Sequence, residues 1–284
     1  MPRGTSTGGS LKGWGEGIAV ISINGVISGD DYAAGGASAP SIMEQLSRAK
    51  DDPAVKAVLL RINSPGGSAS ASQEIGDEVR RLREAGKKVV VSMGDTAASG
   101  GYWIACNADY IVANPATLTG SIGVIMQFQN LEELYRKIGI KTENITSGPH
   151  KDMGSAARPL TPAERDILKA MVNDIYQQFV QVVAQGRKMS EDKVRSLADG
   201  RVFTGRQAKE LGLVDALGNF YDALNYASKL AGISGEPRLI YYRRPSPLSW
   251  LYSFLGSTAS RLEQVVPSEG WGIRLELPLV PKQP

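Results

Sequence analysis

Three segments of this 284-residue chain place glycines beside hydroxyl or amine side chains in patterns that suit acyl chemistry. The first is Asn63-Ser64-Pro65-Gly66-Gly67. Two glycines after a proline permit positive φ and leave bare backbone N–H groups facing one point, as an oxyanion requires. The same pentapeptide also serves as a plain strand-to-helix turn. The second, Ala97-Ala98-Ser99-Gly100-Gly101-Tyr102, sets a hydroxyl among small residues that let a substrate backbone approach. A helix beginning there would aim its N-terminal dipole at developing negative charge, although serine at such a place is also an ordinary cap. A nucleophilic Ser99 needs a base. The third segment, Ser147 to Gly154, offers His150, the one imidazole of the chain, and Lys151 beside it. Consecutive side chains of an extended segment point to opposite sides, so one of the two would face Ser99. An amine of ordinary pKa, about 10.4, is protonated at neutral pH, and burial among apolar groups lowers that value by several units. A solvated loop lysine is the plain alternative, and spacing does not decide.

The elements that must position these segments follow from hydrophobic patterning. Ile18 to Ile23, Ala57 to Ile62, Val89 to Ser92, Tyr110 to Ala113 and Val124 to Gln127 read as strands. Short helical patterns lie between them, from about Ser41 to Lys50 and through Ile75, Val79 and Leu82 to Gly86. Gly29 to Pro40 reads as a loop, as does Asp95 to Gly101. Glycine-bearing loops that each follow a strand imply a mostly parallel α/β sheet with its chemistry at the carboxyl ends of the strands. The second half is richer in helix. Thr161-Pro162-Ala163-Glu164 is a capping box with proline at the first helical position, opening a helix that can run to about Gly186. Thr204 to Gln207 is another capping box, and Tyr221 to Ala231 another helix.

Composition removes several classes. Lys and Arg number 32 against 29 Asp and Glu, a net charge of +3, so a nucleic acid is not the expected partner. Hydrophobic residues at 42% and charged residues at 21% exclude wholesale disorder. A single cysteine, Cys106, excludes an internal disulfide framework, and with one histidine it excludes a Cys/His zinc cluster. No cofactor and no metal are expected. No apolar run reaches 18 residues, so the chain as given reads as soluble, without a membrane-spanning helix. Residues 1–17 read as a flexible lead-in, 18–236 as a single catalytic-type α/β domain, and 237–284 as a tail. An apolar patch around Trp250 and Phe254 and an alternating end, Ile273 to Val280, suit a tail that packs on its own core or docks on a neighbouring subunit.

The order of NSPGG, TAASGGYWIA, TGSIGV and SGPHKDMGS, followed by GRVFTGRQAKELGLVDALG at Gly200 to Gly218, resembles the signal peptide peptidase family of SppA-type Ser/Lys proteases from about Ile18 to Ile233. The wider resemblance is to the ClpP and crotonase fold, an α/β architecture of repeated strand-strand-helix units with a helix-rich second half. The likeness implies Ser99 as nucleophile, Lys151 as general base, and Ser121 as a hydroxyl that orients the amine. It implies oxyanion donors at the backbone of Gly100 and of Gly66 or Gly67. ClpP-like proteases take a histidine shortly after the serine loop, whereas Asn114 to Gln129 contains none here, which favours the Ser/Lys arrangement. The implied substrates are short hydrophobic peptides such as cleaved signal peptides, met by a homo-oligomeric ring. The implied setting is membrane-associated, with the catalytic domain extracytoplasmic. The rival classes are a crotonase-type acyl-CoA enzyme, using the oxyanion site without a nucleophile, and a catalytically silent peptide-binding ring.

Overall fold

The structure is a computed structural model and describes residues 16–30, 36–242 and, as backbone, 274–275. The first half contains β1 (Gly17–Asn24), β2 (Ile27–Ser28), β3 (Ala37–Ser38), α1 (Ala39–Asp51), β4 (Val55–Ser64), β5 (Gly67–Ser68) and α2 (Ala69–Glu84). Next come β6 (Lys88–Ala98), α3 (Gly100–Ala105), β7 (Tyr110–Ala113), β8 (Leu118–Gly120) and α4 (Glu132–Lys137). The second half adds α5 (Pro162–Arg187), α6 (Glu191–Arg195), β9 (Val202–Thr204), α7 (Gly205–Glu210), β10 (Ala216–Leu217), α8 (Phe220–Leu230), β11 (Arg238–Ile240) and β12 (Arg274–Leu275).

The main sheet runs β10-β7-β6-β4-β1-β11, and every pair along that path is parallel. Its central strands are near-continuous apolar runs because both faces are covered. The period-2 alternation divides them between two cores. Ile21, Ile23, Val58, Leu60, Ile62 and Val91 join Leu46, Ile75, Val79 and Phe179 on the side of α1, α2, α3 and α5. Ile18, Val20, Ala57, Leu59 and Val90 face Ala223 and Ala227 of α8. A second sheet, β12-β5-β2-β3, sits at the glycine-bearing end. There Arg274–Leu275 of the tail pairs antiparallel with Gly67–Ser68.

Three expectations change. The segment Gly29 to Pro40 is not all loop, since Ala37–Ser38 is β3, paired with β2, and α1 already begins at Ala39. Asp95 to Ala98 is not loop: β6 continues through Ala98, because β8 offers Thr96 to Ala98 a parallel partner at Leu118 to Gly120. The expected strand at Val124 to Gln127 does not form. Its β-branched residues look strand-like, but pairing is confined to a single bridge at Ile125, which is half exposed at 49%, while β8 forms the strand one segment earlier. The capping boxes of α5 and α7 form as expected, each with the reciprocal pair of hydrogen bonds. The patch around Trp250 and Phe254 lies outside the described residues.

Candidate active site

β6 ends at Ala98 and α3 begins at Gly100, so one residue makes the whole turn from strand to helix. That residue is Ser99, with φ 54 and ψ −118, a backbone state costing a non-glycine residue about 1–3 kcal/mol. The corner is held from both sides. Ser99 N–H donates to Gly120 O at 2.8 Å, and Trp103 N–H donates to Ser99 O at 2.9 Å. Buried hydroxyls reinforce the end of β6: Thr117 donates to Gly94 O and Thr119 to Ala97 O, each at 2.7 Å. From behind, α3 is braced by Trp103 stacked 4.8 Å from the Phe179 ring and by Tyr102, whose hydroxyl donates to Leu213 O at 2.8 Å. Cys106, at the end of α3, is buried, and burial pushes its thiol up to about 12, so it is no nucleophile near neutrality.

The NSPGG segment comes directly alongside. A Cβ on Gly100 would lie 2.3 Å from Ser72 Oγ and 3.4 Å from Gly66 Cα, so the start of α3 rests on the first turn of α2 and on the glycine pair. Gly66 and Gly67 have φ 108 and 154, and a Cβ at Gly67 would lie 2.1 Å from Ile27 O. Both positions need glycine for conformation, and Gly67 needs it for close approach as well. Gly66 N–H donates to Ser64 Oγ at 3.1 Å, so that amide is turned into its own loop. Gly100 N–H, at the first position of α3, has no partner within its helix.

Ser99 is 1% exposed, and among the described residues its Oγ is the one buried side-chain oxygen or nitrogen without a hydrogen-bond partner. A buried unpaired hydroxyl costs about 1–3 kcal/mol and calls for a reason. Ser121, also at positive φ (49), is 4% exposed, and its N–H donates to Arg201 O at 2.9 Å. It stands next to Gly120, the residue that receives the Ser99 amide.

Lys151 is elsewhere in character. It lies in an exposed run of turns, beside exposed His150, and shares a shallow depression of about 480 Å³ with Glu143, Asn144, Ile145, Thr146 and Asp152. Within one chain, then, Ser99, Ser121, Gly66, Gly67 and Gly100 come together, and neither Lys151 nor His150 hydrogen-bonds to the Ser99 hydroxyl. Two features escaped sequence reading. Ser72 carries no local sign of its contact with Gly100. Arg158 gives no sign that it grips Asp152 and Glu164 at once, each at 2.6 Å. The capping box marks only the helix end of that network.

No group of three or more His, Cys, Asp or Glu among the described residues could hold a metal ion, and no helix among them is long and apolar enough to cross a membrane. The sequence matches the peptidase family S49 model over residues 81–234 and the Clp protease model over residues 33–126. It is 40% identical over 251 residues to protease 4 of Salmonella typhi, covering 88% of this chain and 40% of that protein. A putative protease of Synechocystis is 49% identical over 193 residues, with 68% of this chain and 69% of the relative aligned. A putative signal peptide peptidase SppA of Enterococcus faecium is 39% identical over 216 residues, 75% of this chain and 63% of that protein. The chain thus spans well under half the length of the Salmonella relative.

Proposed function

The chain belongs to peptidase family S49, and on that premise we propose that it is a serine endopeptidase working through Ser99 and Lys151 on short hydrophobic peptides, cleaved signal peptides among them. The observation that carries this reading is the Ser99 corner: a strained, buried serine with an unpaired hydroxyl, set between a helix N-terminus and a glycine pair. Strain and an orphaned polar atom in one residue are tolerated where the residue reacts.

In this mechanism neutral Lys151 takes the Ser99 proton as Oγ attacks the peptide carbonyl, and the Ser121 hydroxyl orients the amine. The carbonyl oxygen, now negative, is held by the amides of Gly100 and Gly67, each such donor being worth about 2.7–4 kcal/mol. Gly67 is assigned over Gly66 because the Gly66 amide is directed to Ser64 Oγ. Lys151 returns the proton to the leaving amine; neutral again, it deprotonates the water that attacks the acyl-enzyme, and gives that proton to Ser99 Oγ as the acyl group leaves.

Lys151 reaches Ser99 when its segment is packed in a homo-oligomeric ring. Support comes from the large apolar side chains exposed on that segment, Ile138 at 59%, Ile140 at 49% and Ile145 at 97%. A closed ring admits short or unfolded chains and excludes folded ones. The name of the Enterococcus relative, a putative signal peptide peptidase, supports signal peptides as substrates; the extracytoplasmic, membrane-associated setting remains part of the proposal.

The test is hydrolysis of an apolar peptide ester together with the mass of the intact protein after a serine-directed phosphonate. One adduct mapping to Ser99 is expected. Ser99→Ala and Lys151→Ala should each lose at least ~10³-fold in turnover, and His150→Ala should keep most of it. Full turnover by Lys151→Ala would remove the base assignment, and an adduct on another serine would remove the nucleophile.

A further inference from the structure

The turn that carries Lys151 has little apolar cover, yet one charged network holds it with close geometry. The Arg158 guanidinium donates to both Asp152 carboxylate oxygens, at 2.6 Å to Oδ1 and 3.0 Å to Oδ2. The same guanidinium donates to both Glu164 oxygens, at 2.6 Å and 2.9 Å. Glu164 in turn accepts from Thr161 N–H at 2.9 Å as the third helical residue of the α5 capping box, and its side chain is 1% exposed. Asn144 adds a bond to Asp152 Oδ2 at 3.3 Å. Asp152 is the residue after Lys151, and both its oxygens are committed to Arg158. Lys151 takes part in none of the ion pairs among the described residues.

We propose that Arg158 is a positioning residue for the Lys151 amine: its two-carboxylate grip seats the Lys151 turn on the first turn of α5 and keeps the Asp152 carboxylate from pairing with its neighbour. The proposal deepens the Ser99/Lys151 reading and rests on it. A general base must give up its charge, and an adjacent free carboxylate favours the charged form. A planar fork that binds carboxylates bidentately is the group able to hold two of them in fixed register. The charged and titratable groups around Lys151 are Glu143 and Asp152 in the shared depression, His150 beside it in the chain, Arg158 from the turn before α5 and Glu164 from the first turn of α5. Of the three carboxylates, Asp152 and Glu164 share the single positive charge of Arg158, and all four of their oxygens accept from its guanidinium. The Arg158 guanidinium holds both well below the usual carboxylate range, at about 2, with Asn144 assisting at Asp152 and Thr161 at Glu164.

The experiment is the pH dependence of kcat/KM on an apolar peptide ester, using the full chain and its variants. Arg158→Gln frees Asp152 beside the amine, and the midpoint of the acid limb should rise by about one pH unit or more. Adding Asp152→Asn to that variant should return the midpoint to within a few tenths of the parent value. Asp152→Asn alone leaves Arg158 on Glu164 and should not move the limb, so it tests the proposal even if Arg158→Gln fails to fold. Lower turnover in Arg158→Gln with an unmoved limb would make Arg158 a structural staple only and end the proposal. A limb lowered by a unit in Asp152→Asn alone would mean that Asp152 faces the amine despite Arg158, and would also end it. Lys151→Ala separates the two levels. If that variant stays active, the base assignment itself falls. If it is inactive while the limb stays fixed in Arg158→Gln, the grip alone falls.

Discussion

Ser99 and Lys151 sit in opposite kinds of structure. The serine stands at the end of a central parallel strand, nearly inaccessible, with a backbone carbonyl, two threonine hydroxyls and the glycine contacts of α2 and α3 fixing its surroundings. The lysine stands in a run of turns where Ile145 is 97% exposed and side-chain order comes from ions rather than packing. The difference separates two ways of holding a reactive group. Close packing tolerates a strained serine because the surrounding sheet cannot relax around it. An ion-held turn stores little strain and can change partners, as the proposed loss of charge at Lys151 and its proposed cover by a second subunit would require.

Glycine substitutions should separate the two regions most sharply. Gly67→Ala drives a methyl into backbone atoms of Ile27, at 2.1 Å from O and 2.6 Å from N, where no rotamer change gives relief. A loss of ~3 kcal/mol or more in urea unfolding is expected. Gly100→Ala meets a side chain instead, Ser72 Oγ at 2.3 Å, and should cost about 1–3 kcal/mol. Adding Ser72→Gly should recover most of that loss, since the next contact, Gly66 Cα, is an ordinary 3.4 Å. Gly148→Ala, in the Lys151 segment with nothing within 4 Å, should stay within about 0.5 kcal/mol. A large loss at Gly148, or none at Gly67, would erase the contrast.

Substitutions at the two reactive positions should then give effects of opposite kind. Ser99→Ala removes a buried unpaired hydroxyl and should raise stability by about 1 kcal/mol while abolishing turnover. Ser99→Gly also relieves the positive φ of 54 and should melt at least as high as Ser99→Ala. Lys151→Ala should leave the melting temperature where it was. Calorimetry of the three variants checks the order, and a Ser99→Ala protein less stable than its parent would show that the hydroxyl has a structural role.

The same division explains how much was legible in the sequence. NSPGG and TAASGG announce themselves because their glycines answer local demands, positive φ at Gly66 and Gly67 and close approach at Gly67, Gly100 and Gly101. The strands are legible because both faces of the parallel sheet are apolar. The extension of β6 to Ala98 is not, since Thr96 to Ala98 become strand through partners distant in sequence, Leu118 to Gly120 on one side and Ser64 on the other. Val124 to Gln127 goes in the other direction, with strand-forming side chains but bridge pairing at Ile125 alone. Thr161-Pro162-Ala163-Glu164 was read as a helix start, and it is one. That Glu164 also receives Arg158 depends on the path of the intervening turn, which no local pattern encodes.

The smallest expected effect comes from acid, and it tests whether ions hold the Lys151 segment. Asp152 and Glu164 have ordinary values of 3.8 and 4.5 and lie at about 2 in the folded chain. Groups whose folded values are lowered contribute stability that is complete above their unfolded values and fades as pH falls toward the folded ones. The grip of Arg158 should therefore be intact above about pH 4.5 and weaken progressively toward pH 2. Asp152 and Arg158 keep 21% and 31% of their side-chain surface in water, so screening makes the contribution modest. The apolar contacts around Ser99 carry no such dependence. Hydrogen exchange followed down this range should show amides from Asn144 to Glu164 opening first, with those of β6 and α3 still protected. Added salt should bring the same opening at higher pH. If both regions loosen together, or if β6 opens first, the Lys151 turn is held by something other than its ions, and the two reactive groups do not differ in the way their surroundings suggest.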